Sequence, residues 1–389
     1  MHPHEKGRII IRPYVCLSTF YVRLPAMSKR IICTVTNDLT TDQRMLRICS
    51  TLAAADYRVT LVGRKLPDSL PLTERTFTQK RLYCFFTKGK LFYIEYNLRL
   101  LIWLLFQKAD AVCAIDLDTL VPAYFSAKVK GAKLVYDAHE YFPFVPEVVE
   151  RPFTHKVWLW VEKTFLPKCD LVYTVSGSIA KQFEKLYGKE VGLIRNVPLK
   201  KRAGWGPKSE KVLVYQGALN MGRGLEQLIS AMRHIPHKLY LYGDGDVKNE
   251  LLQMVQKNKQ EEQIIFKGKV SPDELWRETA KAYIGINLLE NKGLNYYWSL
   301  PNKLFDYIQA GVPQVMMNFP EQLALNNKKP FGIPIENLEE NTIVLAINEL
   351  LNNSELYAQL QNNCLTLAEE LTWENESKTL LKLYDQLFR

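Results

Sequence analysis

A lysine and an aspartate stand one helical turn apart in the segment LPNKLFDYIQAGVP, at Lys303 and Asp306. The preceding Leu-Pro-Asn turn and the following Gly311-Val312-Pro313 predict a short amphipathic helix between them. The first turn of a helix has unpaired N–H groups and the positive end of the helix dipole, and both attract phosphate. Lys303 would add a positive charge, and Asp306 could accept hydrogen bonds from the two hydroxyl groups of a ribose. The pattern predicts a nucleoside diphosphate site, and a capped surface helix is the alternative.

Three segments upstream each run from a short apolar strand into a glycine turn and then into a helical pattern. They are Leu213-Val214-Tyr215 before Gln216-Gly217-Ala218, Leu239 to Tyr242 before Gly243-Asp244-Gly245, and Ile264-Ile265-Phe266 before Lys267-Gly268-Lys269-Val270. The helix after the third segment has a serine N-cap at Ser271 and a proline at its first position. This alternation predicts a parallel α/β domain with its loops gathered at one edge of the sheet. The amino-terminal half has similar apolar runs at 30–36, 58–63, 111–115, 133–136 and 171–175, which predict a second parallel sheet.

Residues 211 to 320 resemble the carboxyl-terminal half of a retaining glycosyltransferase of family 4. The matching pieces are YQGALNMGRGLEQLISAM, LYLYGDG, IIFKGKVSPDEL and SLPNKLFDYIQAGVP, in that order. The resemblance implies an α/β GT-B fold, in which two Rossmann-like parallel-sheet domains face each other across a cleft. It also implies transfer of a sugar from a nucleotide diphosphate donor to a hydroxyl acceptor with retention. The acceptor would be a lipid-linked or surface glycan, and the nucleotide sugar is a substrate, so that no cofactor is expected.

The resemblance assigns roles by position. Gly217 would let the backbone approach the phosphates, Arg223 stands where the family has a lysine before glycine, and Asp306 stands where the family has a ribose-binding glutamate. Two positions depart from the family: Ala218 replaces an arginine, and Trp298 replaces the first acid of the Glu-x7-Glu pair. The candidate donor-binding residues are Gly217, Arg223, Gly243, Val270, Asn302, Lys303 and Asp306.

The segment VYDAHE resembles the family's strand end with a histidine facing the cleft, which makes His139 and Glu140 the candidate catalytic residues. The alternatives are a histidine packed under Tyr141 and Phe142, and a glutamate that only caps a loop or a helix. Asp116-Leu117-Asp118 has the Asp-x-Asp pattern by which another glycosyltransferase class holds a divalent metal. Because a helical pattern follows directly, we expect a helix-capping acid here and no metal site.

A chain of 389 residues exceeds the size at which one hydrophobic core keeps growing, so two domains are expected. As the resemblance implies, the last helix should cross back to the first domain. The predicted boundaries are 1–28 for a tail or an over-extended start, 29–198 for the acceptor-side domain, 199–210 for a linker, 211–372 for the nucleotide-sugar domain and 373–389 for the returning helix.

The net charge of +10 fits an anionic partner, which could be a nucleotide, a membrane surface or a nucleic acid. No aromatic-basic motif supports nucleic-acid binding, so that partner is not expected. The apolar stretch from Leu91 to Phe106 is too short to span a bilayer, and we interpret it as a buried helix or as an interfacial helix. Seven cysteines without a Cys-x-x-Cys motif indicate reduced thiols. The predicted localisation is cytoplasmic, with peripheral attachment to the inner face of the membrane as an option.

Two other functions fit the same residues. A nucleotide-sugar epimerase shares the fold and the diphosphate site, but it needs carboxylates around the sugar, and the sequence offers only weak candidates. A non-catalytic partner of another glycosyltransferase would explain both Ala218 and Trp298.

Overall fold

The computed structural model describes residues 28–40, 42–201, 208 and 210–389. Two parallel β-sheets, each flanked by helices, form two Rossmann-like domains, as the sequence predicted. The tail predicted over 1–28 lies outside the described residues except for Ser28, and so do seven residues of the linker predicted over 199–210.

The first domain is built on a seven-stranded sheet with the order β3-β2-β1-β4-β5-β6-β7. Its strands are β1 Arg30–Thr34, β2 Arg58–Lys65, β3 Thr78–Tyr83, β4 Ala111–Ile115, β5 Lys133–Ala138, β6 Leu171–Thr174 and β7 Gly192–Leu193. Its helices are α1 Gln43–Ala54, α2 Gly89–Phe106, α3 Leu120–Lys130, α4 Pro146–Val149, α5 Pro152–Phe165 and α6 Gly177–Tyr187. The central strand β4 reads AVCAI and is buried along its whole length, which is typical of a parallel sheet covered on both faces.

The second domain has a six-stranded sheet with the order β10-β9-β8-β11-β12-β13. Its strands are β8 Leu213–Gln216, β9 Leu239–Tyr242, β10 Ile264–Gly268, β11 Ile284–Asn287, β12 Gln314–Met317 and β13 Gly332–Ile335. Its helices are α7 Leu225–Ala231, α8 Lys248–Lys257, α9 Pro272–Lys281, α10 Leu294–Tyr297, α11 Asn302–Gln309, α12 Pro320–Lys328, α13 Glu340–Asn352 and α14 Ser354–Glu370. The strand order changes direction beside β8, and ligands of such sheets bind outside the carboxyl ends of the strands at this point.

The last helix, α15 Trp373–Leu387, packs on the first domain. The indole Nε1 of Trp373 donates a hydrogen bond to Thr51 Oγ1 of α1 at 2.9 Å. Tyr384 is fully buried, and its ring centroid lies 6.4 Å from that of Tyr173 on β6. The helix therefore covers one face of the first sheet.

A carboxylate of the second domain caps a helix of the first domain. Glu321, in the first turn of α12, accepts hydrogen bonds from the backbone N of Gly177 at 3.1 Å and of Ser178 at 2.6 Å. These two groups are the unpaired donors at the start of α6, where negative charge is favoured by the helix dipole. This contact joins the two domains at a defined point.

Candidate functional site

The loops after β8 and β9 touch through two glycines that have left-handed backbone conformations. Gly217 has φ of 133° and Gly243 has φ of 139°. A Cβ atom on Gly243 would lie only 1.9 Å from the carbonyl oxygen of Gly217, so no other residue type fits there. The open side of Gly217 faces Lys303, whose Cε would lie 3.7 Å from a Cβ at that position. The two predicted glycines thus lie together, with Gly217 beside Lys303.

Lys303 is a buried cation without a hydrogen-bonding partner. Lys303 is 8% exposed, and its Nζ atom makes no hydrogen bond to any residue in the described part of the chain. The Nζ atom lies 3.6 Å from the centroid of the Tyr215 ring, which gives a cation–π contact. Burial, and then the nearby charge of Arg223, lowers the pKa of Lys303 well below its ordinary value. An anion bound next to the Nζ atom would relieve both effects.

Arg223 is a second cation, whose charge acts on Lys303. Its guanidinium lies 5.0 Å from the ring centroid of Tyr296, and its buried Nε atom has no hydrogen-bonding partner among the residues that the structure describes. Its charge acts on Lys303 in its own domain and also on Glu140 of the first domain. Two cations with unused donors at the carboxyl edge of the sheet form an arrangement that can bind a diphosphate.

Asp306 lies one turn along α11 from Lys303 and is held by the neighbouring strand. The Nε2 atom of Gln216 donates to Asp306 Oδ2 at 2.7 Å, and Gln216 Oε1 accepts from Thr279 Oγ1 at 2.6 Å. Burial raises the pKa of Asp306 to about 6, although the positive charges of Lys201 and Arg47 oppose this shift. The carboxylate is therefore oriented and is ionised at neutral pH. The sequence analysis did not identify Gln216 as its partner.

The two remaining candidates of the second domain have other neighbours. Asn302 is exposed, and its Oδ1 atom accepts a hydrogen bond from Asn196 Nδ2 of the first domain at 2.8 Å. Val270 is half-buried and packs against the cluster that contains Tyr242 and Tyr307. Asn302 thus lies at a contact between the domains, and Val270 borders the loop after β10.

His139 belongs to a chain of charged groups that sequence reasoning did not find. Its Nε2 atom lies 3.0 Å from Asp137 Oδ2, and Asp137 Oδ1 lies 2.9 Å from Arg44 Nη2. Arg44 also donates to the carbonyl oxygen of Ile194 at 2.9 Å. An ionised carboxylate only accepts, so Nε2 carries the proton and Nδ1 is the second ring nitrogen.

The charged groups around His139 favour the ionised form of its imidazole ring. Burial opposes ionisation of both partners, but Arg44 and His139 together hold the pKa of Asp137 below its usual value. For His139, burial is the largest cause and lowers the pKa of the imidazole, but the charge of Asp137, the hydrogen bond to it and the charge of Asp116 together raise that pKa above its ordinary value. His139 is therefore an oriented side chain with an increased tendency to be positively charged.

Asp116 supports the His139 loop, and the expected helix cap is wrong. No capping hydrogen bond forms at the start of the short helical turn after β4. Instead, Asp116 Oδ1 accepts from the backbone N of His139 at 2.9 Å and of Glu140 at 3.4 Å. Asp118 accepts from Thr36 Oγ1 at 2.6 Å, and burial raises its pKa to about 7. Within the described part of the chain, no group of three His, Cys, Asp or Glu residues could hold a metal ion.

Glu140 faces the second domain across the cleft. Glu140 is exposed as a residue. The protein atoms around its carboxyl group nevertheless desolvate it, and this raises its pKa. The charges of His139 and Arg223 act in the opposite direction and stabilise the carboxylate. The structure thus brings Glu140, His139 and Arg223 within electrostatic reach of one another.

Trp298 joins the two domains at the position where the family has its first acid. Its ring stacks on Tyr141 of the first domain, with centroids 5.5 Å apart and an interplanar angle of 17°. Asn295 Oδ1, one turn earlier, accepts from the backbone N of Tyr141 at 2.9 Å. Glu290, the nearest acid that precedes Trp298 along the chain, is paired with Lys292 at 2.9 Å. Where the family has a carboxylate, this chain therefore has a tryptophan that makes an aromatic contact between the domains.

A separate cavity of about 490 Å³ lies at the opposite edge of the first sheet. Arg30, Tyr57 and Arg58 line it, and they stand at or before the amino ends of β1 and β2. Ligands of parallel sheets bind at the carboxyl ends, so the cleft remains the candidate site.

Comparison with known families assigns both halves of the chain. The profile described as Glycosyltransferase Family 4 matches residues 42–197, and the profile described as Glycosyl transferases group 1 matches residues 199–365. A search of curated protein sequences finds no significant match.

Several solved structures share the fold at low sequence identity. Sucrose-phosphate synthase from Thermosynechococcus elongatus is 17% identical with a TM-score of 0.79, over 92% of this chain and 99% of that chain. The Anabaena protein HepE in complex with UDP-glucose is 13% identical with a TM-score of 0.72, over 92% of this chain and 100% of that chain. The lipopolysaccharide outer core galactosyltransferase WaaB is 11% identical with a TM-score of 0.64, over 92% of this chain and 99% of that chain. With both domains matched in sequence and in fold, the chain belongs to the family 4 glycosyltransferases and has the GT-B fold.

Proposed function

We propose that this glycosyltransferase moves a sugar from a nucleotide diphosphate donor to a hydroxyl acceptor with retention and without a metal ion. The observation that carries the proposal is the buried, unpartnered Nζ atom of Lys303 beside Arg223. Two cations with unused donors next to a glycine-lined loop need a compact polyanion, and a diphosphate supplies it.

In the proposed reaction, the bond between the anomeric carbon and the diphosphate oxygen breaks as the acceptor oxygen bonds to the same carbon from the same face of the sugar, so that the configuration is retained. Lys303 and Arg223 stabilise the negative charge that develops on the departing diphosphate, without help from a metal. Asp306 binds the ribose hydroxyls, and the positively charged His139 donates a hydrogen bond to the sugar or the acceptor. Glu140 accepts the proton of the acceptor hydroxyl, since its raised pKa makes it a better base. No residue is proposed as a covalent nucleophile.

The known proteins of this fold suggest the substrates to test first. HepE was solved with UDP-glucose, so UDP-sugars are the first donors to try. WaaB acts on the lipopolysaccharide outer core, which supports a lipid-linked or surface glycan as the acceptor class. We therefore propose that the reaction takes place at the cytoplasmic side of the membrane.

The diphosphate assignment is tested by calorimetry with UDP and uridine. Arg223→Ala should weaken UDP binding by about 10- to 150-fold, which corresponds to about 1.5–3 kcal/mol for a charged hydrogen bond. Uridine binding should change little, because uridine has no phosphate. Arg277→Ala, at an exposed position on α9, is the control and should leave both affinities unchanged. Equal weakening of UDP and uridine would instead assign Arg223 a structural role.

The transfer reaction is tested by following UDP release from UDP-sugars, with membrane extract as the source of acceptor. Release that continues in EDTA supports the metal-independent mechanism, whereas release that stops in EDTA and returns with Mg²⁺ contradicts it.

A non-catalytic partner of another glycosyltransferase is the second candidate function. Trp298 favours it, because the sugar-contacting acid of the family is replaced by a stacking contact with Tyr141. This alternative predicts nucleotide binding without release of UDP from any donor, even when a competent acceptor is present.

A further inference from the structure

The outer surface of one helix layer of the first domain is apolar. Helices α2, α3 and α5 cover the same face of the first sheet and share one hydrophobic core. Their inward residues include Phe92, Tyr96 and Leu100, all buried. The outward residues of a helix in such a layer are ordinarily polar, because they face water. Here they are not.

Helix α2 has an unbroken apolar stripe on its outer side. The exposed residues of this stripe, with their exposed fractions, are Leu91 56%, Ile94 65%, Leu98 57%, Ile102 50% and Leu105 40%. Their spacing of three and four residues places them on one side of the helix, opposite the buried Phe92, Tyr96 and Leu100. Single exposed apolar residues are common, but a continuous stripe along an 18-residue helix marks an interaction surface.

The neighbouring helices continue this surface. Phe125 and Val129 of α3 are 45% and 74% exposed, and Phe153 and Trp160 of α5 are 69% and 59% exposed. Aromatic contacts connect the helices, since the ring centroids of Tyr93 on α2 and Trp158 on α5 lie 5.9 Å apart. We call the outward residues of α2, α3 and α5 the apolar face.

The unpaired charges on these helices are positive. The Nζ atoms of Lys90 and Lys128 lie 5.2 Å and 5.8 Å from the ring centroids of Phe153 and Tyr124. Lys156 and Lys163 are exposed on α5. The two acids of the three helices do not oppose them, because Glu162 is buried and Glu95 is paired with Arg99 at 2.8 Å.

We propose that the apolar face docks on the surface of a bilayer that contains anionic phospholipids. Exposed leucine, isoleucine, phenylalanine and tryptophan side chains would enter the boundary between headgroups and acyl chains, and the lysines would contact the phosphates. In the proposed complex, α2 lies in the plane of the interface. No helix in the described residues is long and apolar enough to cross a bilayer. At about 27 Å, α2 provides an extended contact line.

Charge complementarity is what selects this occupant over a protein partner. The lysines accompany the aromatic rings of the face itself, as they do in helices that lie in a membrane interface. The proposal is independent of the sugar-transfer reaction, because its residues do not belong to the cleft and its test does not measure activity.

The test is flotation of the full chain with vesicles of phosphatidylcholine alone or with 30% phosphatidylglycerol. The protein should float with the anionic vesicles and much less with the neutral ones, and salt should reduce the bound fraction. Leu98→Asp combined with Ile102→Asp should lower partitioning by at least about tenfold, because each change places a charge in the apolar stripe. Lys90→Glu combined with Lys156→Glu should reduce binding to the anionic vesicles by roughly fivefold or more per residue.

Leu345→Asp is the matched control, since Leu345 is 62% exposed on α13 of the second domain. This variant should bind vesicles as the wild type does. UDP affinity of each variant shows that the cleft has folded. Failure of the wild type to float with anionic vesicles would overturn the proposal. Normal flotation of the variant with Leu98→Asp and Ile102→Asp would also overturn it. So would a wild-type dimer that does not bind vesicles and that these two changes convert into a monomer, because the apolar face would then be a protein interface.

Discussion

Replacing Lys303 by methionine should stabilise the unliganded protein and weaken diphosphate binding at the same time. Methionine has a similar length and no charge, so the variant keeps the packing and removes the buried ammonium. Among the described residues, the ammonium has no hydrogen-bonding partner, and it lies 3.6 Å from the centroid of the Tyr215 ring, a contact of about 0.5–2 kcal/mol. The cost of an uncompensated buried charge is several kcal/mol, which is larger.

The net effect on the unliganded protein should be an increase of about 1–2 kcal/mol in the free energy of unfolding. For a domain of this size, that corresponds to a rise of roughly 2–8 °C in Tm. The affinity for UDP should fall by about 1.5–3 kcal/mol, because a charged hydrogen bond to the diphosphate is lost. Thermal unfolding with and without UDP measures both effects, and calorimetry measures the affinities for UDP and uridine.

The lowered pKa of Lys303 gives this prediction a pH dependence. Between the pKa values of the folded and unfolded states, the unfolded chain binds more protons than the folded chain. The free energy of unfolding of the wild type should therefore rise with pH across this interval. The variant should lack this contribution. UDP binding by the wild type should take up protons in the same interval, which calorimetry in two buffers detects.

Lys328→Met, at an exposed position of α12, is the control and should change neither Tm nor the affinity for UDP. The reasoning is refuted if Lys303→Met is markedly less stable without ligand, or if UDP and uridine lose affinity equally. Either result would show that Lys303 supports the fold and does not bind an anion.

Three further predictions concern the rest of the cleft. Asp306→Ala should weaken nucleotide-sugar binding by about 1.5–3 kcal/mol. The affinity of the wild type should fall as the pH decreases through about 6, where the carboxylate becomes protonated. Unchanged affinity of the variant in calorimetry would remove Asp306 from the site. His139→Ala should lower the turnover of sugar transfer by one to several orders of magnitude with little effect on UDP binding. Turnover of the wild type should decrease as the pH rises through the raised pKa of the imidazole. Equal losses in turnover and UDP affinity in the variant would argue against this role. Trp298→Ala should reduce the free energy of unfolding by about 2–4 kcal/mol, since Trp298 is only half-buried, and should increase the radius of gyration in solution scattering; an unchanged radius would show that other contacts hold the domains together.

The sequence predicted those parts of the fold that depend on local patterns. The run AVCAI is apolar throughout, and the predicted strand at 111–115 agrees with β4 residue for residue. Strand β3, TQKRLY, was not predicted, because only Leu82 is buried in this polar edge strand. Strand β7 has only two residues and offers no pattern to recognise.

The site divides in the same way. Lys303 follows a turn at the start of a helix and Arg223 follows a glycine loop, and both signals are visible along the chain. The ion pair between Arg44 and Asp137 joins residues 93 positions apart, and no local pattern contains it. Trp298 stands in an aromatic run, YYW, and the residue it stacks on belongs to the other domain.

The return of α15 to the first domain has a consequence for biosynthesis. Trp373, Leu380 and Tyr384 belong to the same hydrophobic core as Ile31 of β1 and Cys113 of β4. The domain that begins first on the ribosome is therefore the one whose core is completed last. Until residues 373–387 have been synthesised, one face of its sheet lacks part of its covering, and the growing chain must keep that face from associating with other chains.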